Sequence, residues 1–63
     1  MPIIQVQIME GRSEDNIKLL IDDITSAAEK NLSVPKESIR VLVTEVPRNR
    51  WAVGGVLKSE ENK

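Results

Sequence analysis

The chain opens with apolar and polar side chains that alternate with a period of two. Residues 3–9 read I-I-Q-V-Q-I-M and are rich in β-branched side chains, a pattern that predicts a β-strand over Ile3–Met9. Successive side chains of a strand point to opposite faces, so Ile4, Val6 and Ile8 share one face. We expect that face to pack against the rest of the protein.

A longer segment with helical periodicity follows the strand. Ser13 is a favourable N-cap, and Glu14 and Asp15 occupy the first turn, where acidic side chains complement the helix dipole. Leu19 lies nearly opposite the apolar stripe of this helix, and the sequence leaves open whether it is incidental or contacts another subunit. The stripe has spacings of three and four and predicts one core-facing side, formed by Ile17, Leu20, Ile21, Ile24, Ala27 and Ala28.

A second strand is predicted after the helix. Residues 31–35 end the helix, because Pro35 disfavours the α conformation in the residue before it. Residues 39–46 read I-R-V-L-V-T-E-V, which is typical of a strand. The fold class is therefore α/β (α+β), with a βαβ unit whose right-handed crossover makes the two strands parallel. Two strands leave an open sheet edge, which we expect dimerisation to complete.

The rest of the chain predicts only short elements. Residues 47–49 form a turn, and residues 50–57 predict a C-terminal β-hairpin about Gly54 and Gly55. We expect residues 58–63 to be a frayed tail. Because no repeat, low-complexity tract or linker interrupts the sequence, residues 1–63 are expected to form a single domain.

The size and composition of the chain point to association. With 63 residues, the chain is below the usual size of an independent domain. It has no cysteine for a disulfide, and without histidine or cysteine it cannot build a common zinc site. We expect no metal and no cofactor, and assembly with other subunits is the remaining means of stabilisation.

The charge and hydropathy of the chain argue against several classes of partner, although overall charge does not exclude a local basic site. The net charge of −1 and the isoelectric point near 5.3 are a poor match for nucleic acid. No apolar stretch is long enough for a transmembrane helix, and the alternating start is unlike a signal peptide. We therefore expect no nucleic acid and no membrane partner, and a cytoplasmic location.

Pro2 is the first candidate for chemistry. Removal of the initiator methionine would turn its amide nitrogen into a secondary amine that can take a proton. An α-amino group has a reference pKa of about 7.7 to 8.0, and burial beside cationic side chains would lower that pKa towards the value a base needs. The alternative interpretation is that Pro2 has no chemical role and only affects where the first strand begins.

Two arginines are candidates for binding an anionic substrate. Arg12 follows the first strand and Arg40 opens the second, and a guanidinium can hold a carboxylate or stabilise an enolate oxygen. Such positions lie at opposite ends of a parallel sheet, so we expect them to converge only in a site shared between subunits. A surface ion pair is the alternative interpretation for each arginine.

Trp51 is the only aromatic residue of the chain. It either fills the core or, beside Arg48 and Arg50, forms the wall of a pocket that excludes water. The carboxylates, among them Glu10 and Glu45, show no paired spacing on a common face. A Ser-His-Asp arrangement is excluded because the chain has no histidine.

Four motifs in this order resemble the 4-oxalocrotonate tautomerase family. They are M-P-I-I-Q at the start, M-E-G-R-S at 9–13, S-I-R-V at 38–41 and W-A-V-G-G at 51–55. The resemblance implies a tautomerase-type fold and a homohexamer, a trimer of dimers. It also implies an isomerase that interconverts enol and keto forms of 2-oxo acids such as 2-hydroxymuconate.

The same resemblance assigns roles to the candidate residues. Pro2 would be the general base, while Arg40 and Arg12, from different subunits, would bind carboxylates and polarise the 2-keto oxygen. Trp51 takes the place of a phenylalanine that keeps the pocket apolar in the family. Relatives that hydrate chloroacrylic acids use a glutamate near the hairpin, and here only Glu45 is close. A dehalogenase and a non-catalytic oligomeric module that binds an anion are the two alternatives.

Overall fold

The computed structural model describes residues 1–61 and shows a βαβ unit followed by a small hairpin. The predicted fold class is confirmed. Three short 3₁₀-helices connect or follow the main elements, at Lys36–Ser38, Arg48–Arg50 and Lys58–Glu60. The main elements in chain order are β1 (Ile3–Met9), α1 (Glu14–Leu32), β2 (Arg40–Val46), β3 (Ala52–Val53) and β4 (Val56–Leu57).

β1 and β2 pair in parallel, with a register that runs from Ile3 opposite Arg40 to Met9 opposite Val46. One backbone hydrogen bond extends the ladder at each end. The Arg40 N–H donates to the Pro2 carbonyl at 3.0 Å, and the Glu10 N–H donates to the Val46 carbonyl at 3.0 Å. The residues just before and just after β1 are therefore held against β2.

The second strand begins one residue later than the sequence predicted. The Ile39 N–H donates to the Lys36 carbonyl at 3.1 Å and so closes the preceding 3₁₀-helix. Because that donor is used locally, the ladder starts at Arg40.

The predicted helix cap is confirmed. The Ser13 hydroxyl accepts a hydrogen bond from the Asn16 N–H at 3.1 Å, which satisfies one of the free donors at the helix start. At the other end Ser33 adopts a left-handed conformation with φ 56°, and its N–H donates to the Glu29 carbonyl. Neither α1 nor any other helix among the described residues has the length and apolarity needed to span a bilayer.

We expect Ser13→Ala to lower the free energy of unfolding by about 1 kcal/mol, because the Asn16 N–H loses its acceptor. Urea unfolding at a fixed protein concentration measures the change, since association would otherwise shift the midpoint. Ser13→Asp is the control, because aspartate is an equally good cap. An alanine variant as stable as the wild type would show that the cap does not contribute.

Few side chains are buried between α1 and the sheet. Only Ala28 and Ile39 are buried within residues 1–61, and no large side chain there is fully enclosed. The helix stripe is confirmed except at Ala27, which is exposed. Ala27 lies at the margin of the stripe, and a sheet of two strands is too narrow to cover it. The protomer alone therefore has very little core.

Much apolar surface remains uncovered. The exposed fraction is 63% for Ile3 and 50% for Leu42 on the sheet face away from α1, and 64% for Val53 in the hairpin. The radius of gyration is 14.9 Å, whereas a compact chain of this length would have about 11 Å. The accessible surface is 5069 Å², against about 4,100 Å² for a folded monomer of this mass. The chain is therefore more extended and more exposed than a compact monomer of its size.

The hairpin forms where the sequence predicted it. β3 and β4 pair antiparallel, and the Gly54–Gly55 turn between them has φ values of 61° and 84°. Both values lie in the left-handed region that glycine tolerates best.

The prediction of a frayed tail is wrong over its described part. Lys58–Glu60 is a 3₁₀-helix, and the Lys58 N–H donates to the Trp51 carbonyl at 2.8 Å. The Lys58 ammonium also pairs with Glu61 at 2.7 Å. These contacts extend the end of the hairpin; residues 62 and 63 lie outside the described part of the chain.

Candidate active site

Pro2 and Arg40 lie side by side at one end of the sheet. Pro2 is half-buried directly before β1, and its carbonyl accepts the Arg40 N–H at 3.0 Å. Met1 precedes Pro2 and is 81% exposed. While Met1 is attached, the Pro2 nitrogen is a tertiary amide without basicity. The exposure of Met1 means that its removal would disturb no packed side chain.

The Arg40 side chain is exposed and tied to the backbone. Its Nη1 donates to the Glu37 carbonyl at 3.0 Å, which fixes one side of the guanidinium. Within residues 1–61 the sole ion pair joins Lys58 and Glu61, so neither Arg40 nor Arg12 has a carboxylate partner there. The structure thus gives no support to the interpretation of these two arginines as surface ion pairs.

Arg12 lies at the opposite end of the sheet. It belongs to the loop between β1 and α1 and lines a small cleft there. The seven residues of β1 span about 20 Å. The structure therefore does not bring Arg12 together with Pro2 and Arg40 in one protomer, as the parallel topology predicted.

Trp51 lines a second groove, on the sheet face away from α1. The groove has a volume of about 220 Å³ and is also lined by Gln7, Val46, Arg50 and Ala52. Because successive side chains of a strand point to opposite faces, Gln7 and Val46 lie on the sheet face that does not contact the helix. Trp51 is half-buried and stands outside the layer between helix and sheet. This position favours a pocket wall over a core residue.

Glu45 points away from that groove. It follows Val43 by two residues in β2 and so shares the α1-side face of the sheet, whereas its neighbour Val46 lines the groove. A carboxylate on the far face is badly placed to activate water next to Trp51.

The Arg12 end of the sheet has one contact that the sequence did not predict. The Arg48 N–H donates to Glu10 Oε2 at 3.2 Å, and Arg48 shares the cleft with Arg12. The parallel topology does predict that Arg12 and Arg48 lie close together, because the carboxyl ends of parallel strands lie at the same edge of a sheet. The loops that follow β1 and β2 are therefore neighbours.

The chain matches the family model described as Tautomerase enzyme over residues 2–61. It is a member of the 4-oxalocrotonate tautomerase family. This finding confirms the resemblance that the four sequence motifs indicated.

Individual members of the tautomerase family match over nearly their whole length. A probable tautomerase of Lactiplantibacillus plantarum is 46% identical over 61 residues, which cover 97% of this chain and 95% of that protein. The 2-hydroxymuconate tautomerase of Pseudomonas putida is 40% identical over 63 residues and is covered completely. The solved heterohexamer 4-oxalocrotonate tautomerase of Chloroflexus aurantiacus has a TM-score of 0.92 at 31% identity, with coverage of 98% of this chain and 100% of that one.

Proposed function

We propose that the protein is an isomerase that interconverts enol and keto forms of 2-oxo acids such as 2-hydroxymuconate. Pro2 acts as the general base after removal of Met1. The observation that carries the proposal is the backbone hydrogen bond from the Arg40 N–H to the Pro2 carbonyl, which places the two residues side by side at one end of the sheet. One of them has a nitrogen that can become an amine base, and the other is an arginine without a carboxylate partner among residues 1–61. Membership of the tautomerase family supports the type of reaction.

The proposed chemistry is a proton shuttle. The free Pro2 amine takes the proton of the enol hydroxyl and returns a proton to a carbon of the conjugated system, so that the keto form results. Negative charge develops on the 2-oxygen during this transfer, and the Arg40 guanidinium stabilises it. Arg12 holds a carboxylate of the substrate through paired N–H donors, and Trp51 keeps the pocket apolar.

The proposed site is shared between subunits. Pro2 and Arg12 are separated by the length of β1, about 20 Å, which is more than a small dicarboxylate can bridge. Arg40 also borders a broad, mostly apolar concavity that includes Ile3 and Leu42. A second subunit that covers this concavity would bury apolar surface and bring another Arg12 to Pro2.

We expect the folded species to be a homohexamer, a trimer of dimers. The dimer completes the sheet, and further association covers the exposed apolar side chains of the sheet and hairpin. Sedimentation at micromolar concentration should give roughly six times the 7.1 kDa of the protomer. A stable, folded 7.1 kDa species would contradict the proposal of a shared site. A dimer would contradict only the hexamer.

The reaction is tested by following the conversion of 2-hydroxymuconate to its keto isomer, with the N-terminus of the sample verified by intact mass. Turnover above the uncatalysed rate supports the proposal. A protein that begins at Pro2, binds the substrate and does not turn it over would instead be the non-catalytic anion-binding module. The position of Glu45 on the α1 side of β2 does not favour the dehalogenase alternative.

A further inference from the structure

A cleft at the carboxyl end of the sheet brings two arginines together. It has a volume of about 200 Å³ and is lined by Met9, Glu10, Gly11, Arg12 and Arg48. Arg12 comes from the loop after β1 and Arg48 from the 3₁₀-helix after β2. Neither arginine forms an ion pair with a carboxylate of residues 1–61. The cleft therefore presents two cationic side chains that no carboxylate of the described residues neutralises by pairing.

Glu10 is the acidic residue of the cleft, and its hydrogen bonds are to the backbone. Its Oε2 accepts the Arg48 N–H at 3.2 Å, and its own N–H donates to the Val46 carbonyl at 3.0 Å. Glu10 thereby joins the loop that carries Arg12 to the turn that carries Arg48. With one carboxylate against two guanidinium groups, the cleft keeps a net positive charge.

We propose that Arg48 is a second anion-binding residue beside Arg12 and that the pair makes the site selective for dianionic over monoanionic 2-oxo acids. The proposal rests on the proposed function, in which Arg12 meets the end of the substrate distant from Pro2. A second carboxylate would receive charge-assisted hydrogen bonds from both guanidinium groups. A monoacid with an apolar group at that end would form no such hydrogen bonds with the two arginines. Glu10 is the positioning residue that holds Arg48 in place.

The decisive experiment compares a dicarboxylate with a monoacid on the same variants. In Arg48→Gln, kcat/KM for 2-hydroxymuconate should fall about tenfold, mainly through KM, because one charge-assisted contact is lost. The value for phenylenolpyruvate should stay within about twofold. Lys30→Gln is the matched control, since Lys30 is an exposed cation in the last turn of α1, and it should leave both values unchanged. Equal losses on both substrates, or no loss on the dicarboxylate, would overturn the proposal.

Three further measurements keep the test decisive. Arg48→Lys keeps the charge without the planar fork and should recover part of the loss. Glu10→Gln keeps an oxygen acceptor for the Arg48 N–H, so Glu10→Ala should impair use of the dicarboxylate more than Glu10→Gln does. If the Arg48 variants do not assemble, the Glu10 pair decides, because both Glu10 variants leave Arg48 in the chain and differ in the acceptor for its N–H. Equal use of the dicarboxylate by Glu10→Ala and Glu10→Gln would then overturn the proposal.

The two proposals fail in different ways. A wild type that begins at Pro2 and turns over neither substrate would overturn the proposed function and the role of Arg48 together. A wild type that turns over both substrates, with Arg48→Gln unchanged in its preference, would overturn only the role of Arg48.

Discussion

Retention of Met1 is expected to reduce tautomerase activity by about 100-fold to 10,000-fold, the range over which a general base usually contributes. With Met1 attached, the Pro2 nitrogen is an amide and cannot take the proton of the enol hydroxyl. The chain has no histidine that could replace it. At 63 residues, the protein is short enough for chemical synthesis, so forms that begin at Met1 and at Pro2 can be compared by kcat on 2-hydroxymuconate.

Two controls separate the loss of the base from other effects. A form that begins at Pro2 but has an acetylated nitrogen removes the basicity without the methionine side chain, and it should be as inactive as the Met1 form. Both forms must sediment like the active protein, since Met1 could also disturb assembly. A blocked, fully assembled protein that turns over substrate at the unblocked rate would show that Pro2 is not the base. A carboxylate such as Glu10 would then be the candidate.

The secondary structure could be predicted because it depends on local patterns. The alternation of apolar and polar residues predicted both ends of β1 correctly, and the Ser13 cap predicted the start of α1. The start of β2 was predicted one residue early because a backbone hydrogen bond of Ile39 is used by the 3₁₀-helix before it. The described part of the tail was mispredicted because its order comes from a contact with the Trp51 carbonyl, and no local pattern encodes that contact.

The candidate site was predictable only in part. The type of residue and the parallel topology were enough to place Arg12 and Arg40 at opposite ends of the sheet. The contact between Pro2 and Arg40 depends on the strand register, which composition does not reveal. The hydrogen bond from Arg48 to Glu10 joins residues 38 positions apart, and hydropathy carries no signal for such a pair. For Trp51, only the three-dimensional structure distinguished a groove from a core position.

Arg40→Ala and Arg12→Ala are expected to lose activity in different kinetic parameters. Arg40 lies next to Pro2, where charge develops on the 2-oxygen, so its loss should lower kcat by about 100-fold to 1,000-fold. Arg12 lies at the far end of its own protomer and is expected to hold a carboxylate throughout the reaction. Its loss should therefore raise KM with a smaller effect on kcat. Steady-state kinetics on 2-hydroxymuconate measure both parameters.

The comparison of substrates and a conservative variant make this prediction specific. Phenylenolpyruvate has no second carboxylate, so Arg12→Ala should impair it much less than it impairs 2-hydroxymuconate, whereas Arg40→Ala should impair both. Arg40→Lys keeps a positive charge but loses the fork that reaches the Glu37 carbonyl, and its kcat should fall between those of the wild type and Arg40→Ala. If both alanine variants keep wild-type kinetics on the dicarboxylate, these arginines do not form the site. If Arg12→Ala instead lowers kcat equally on both substrates, Arg12 must act on the reacting oxygen, and the roles of the two arginines would have to be exchanged.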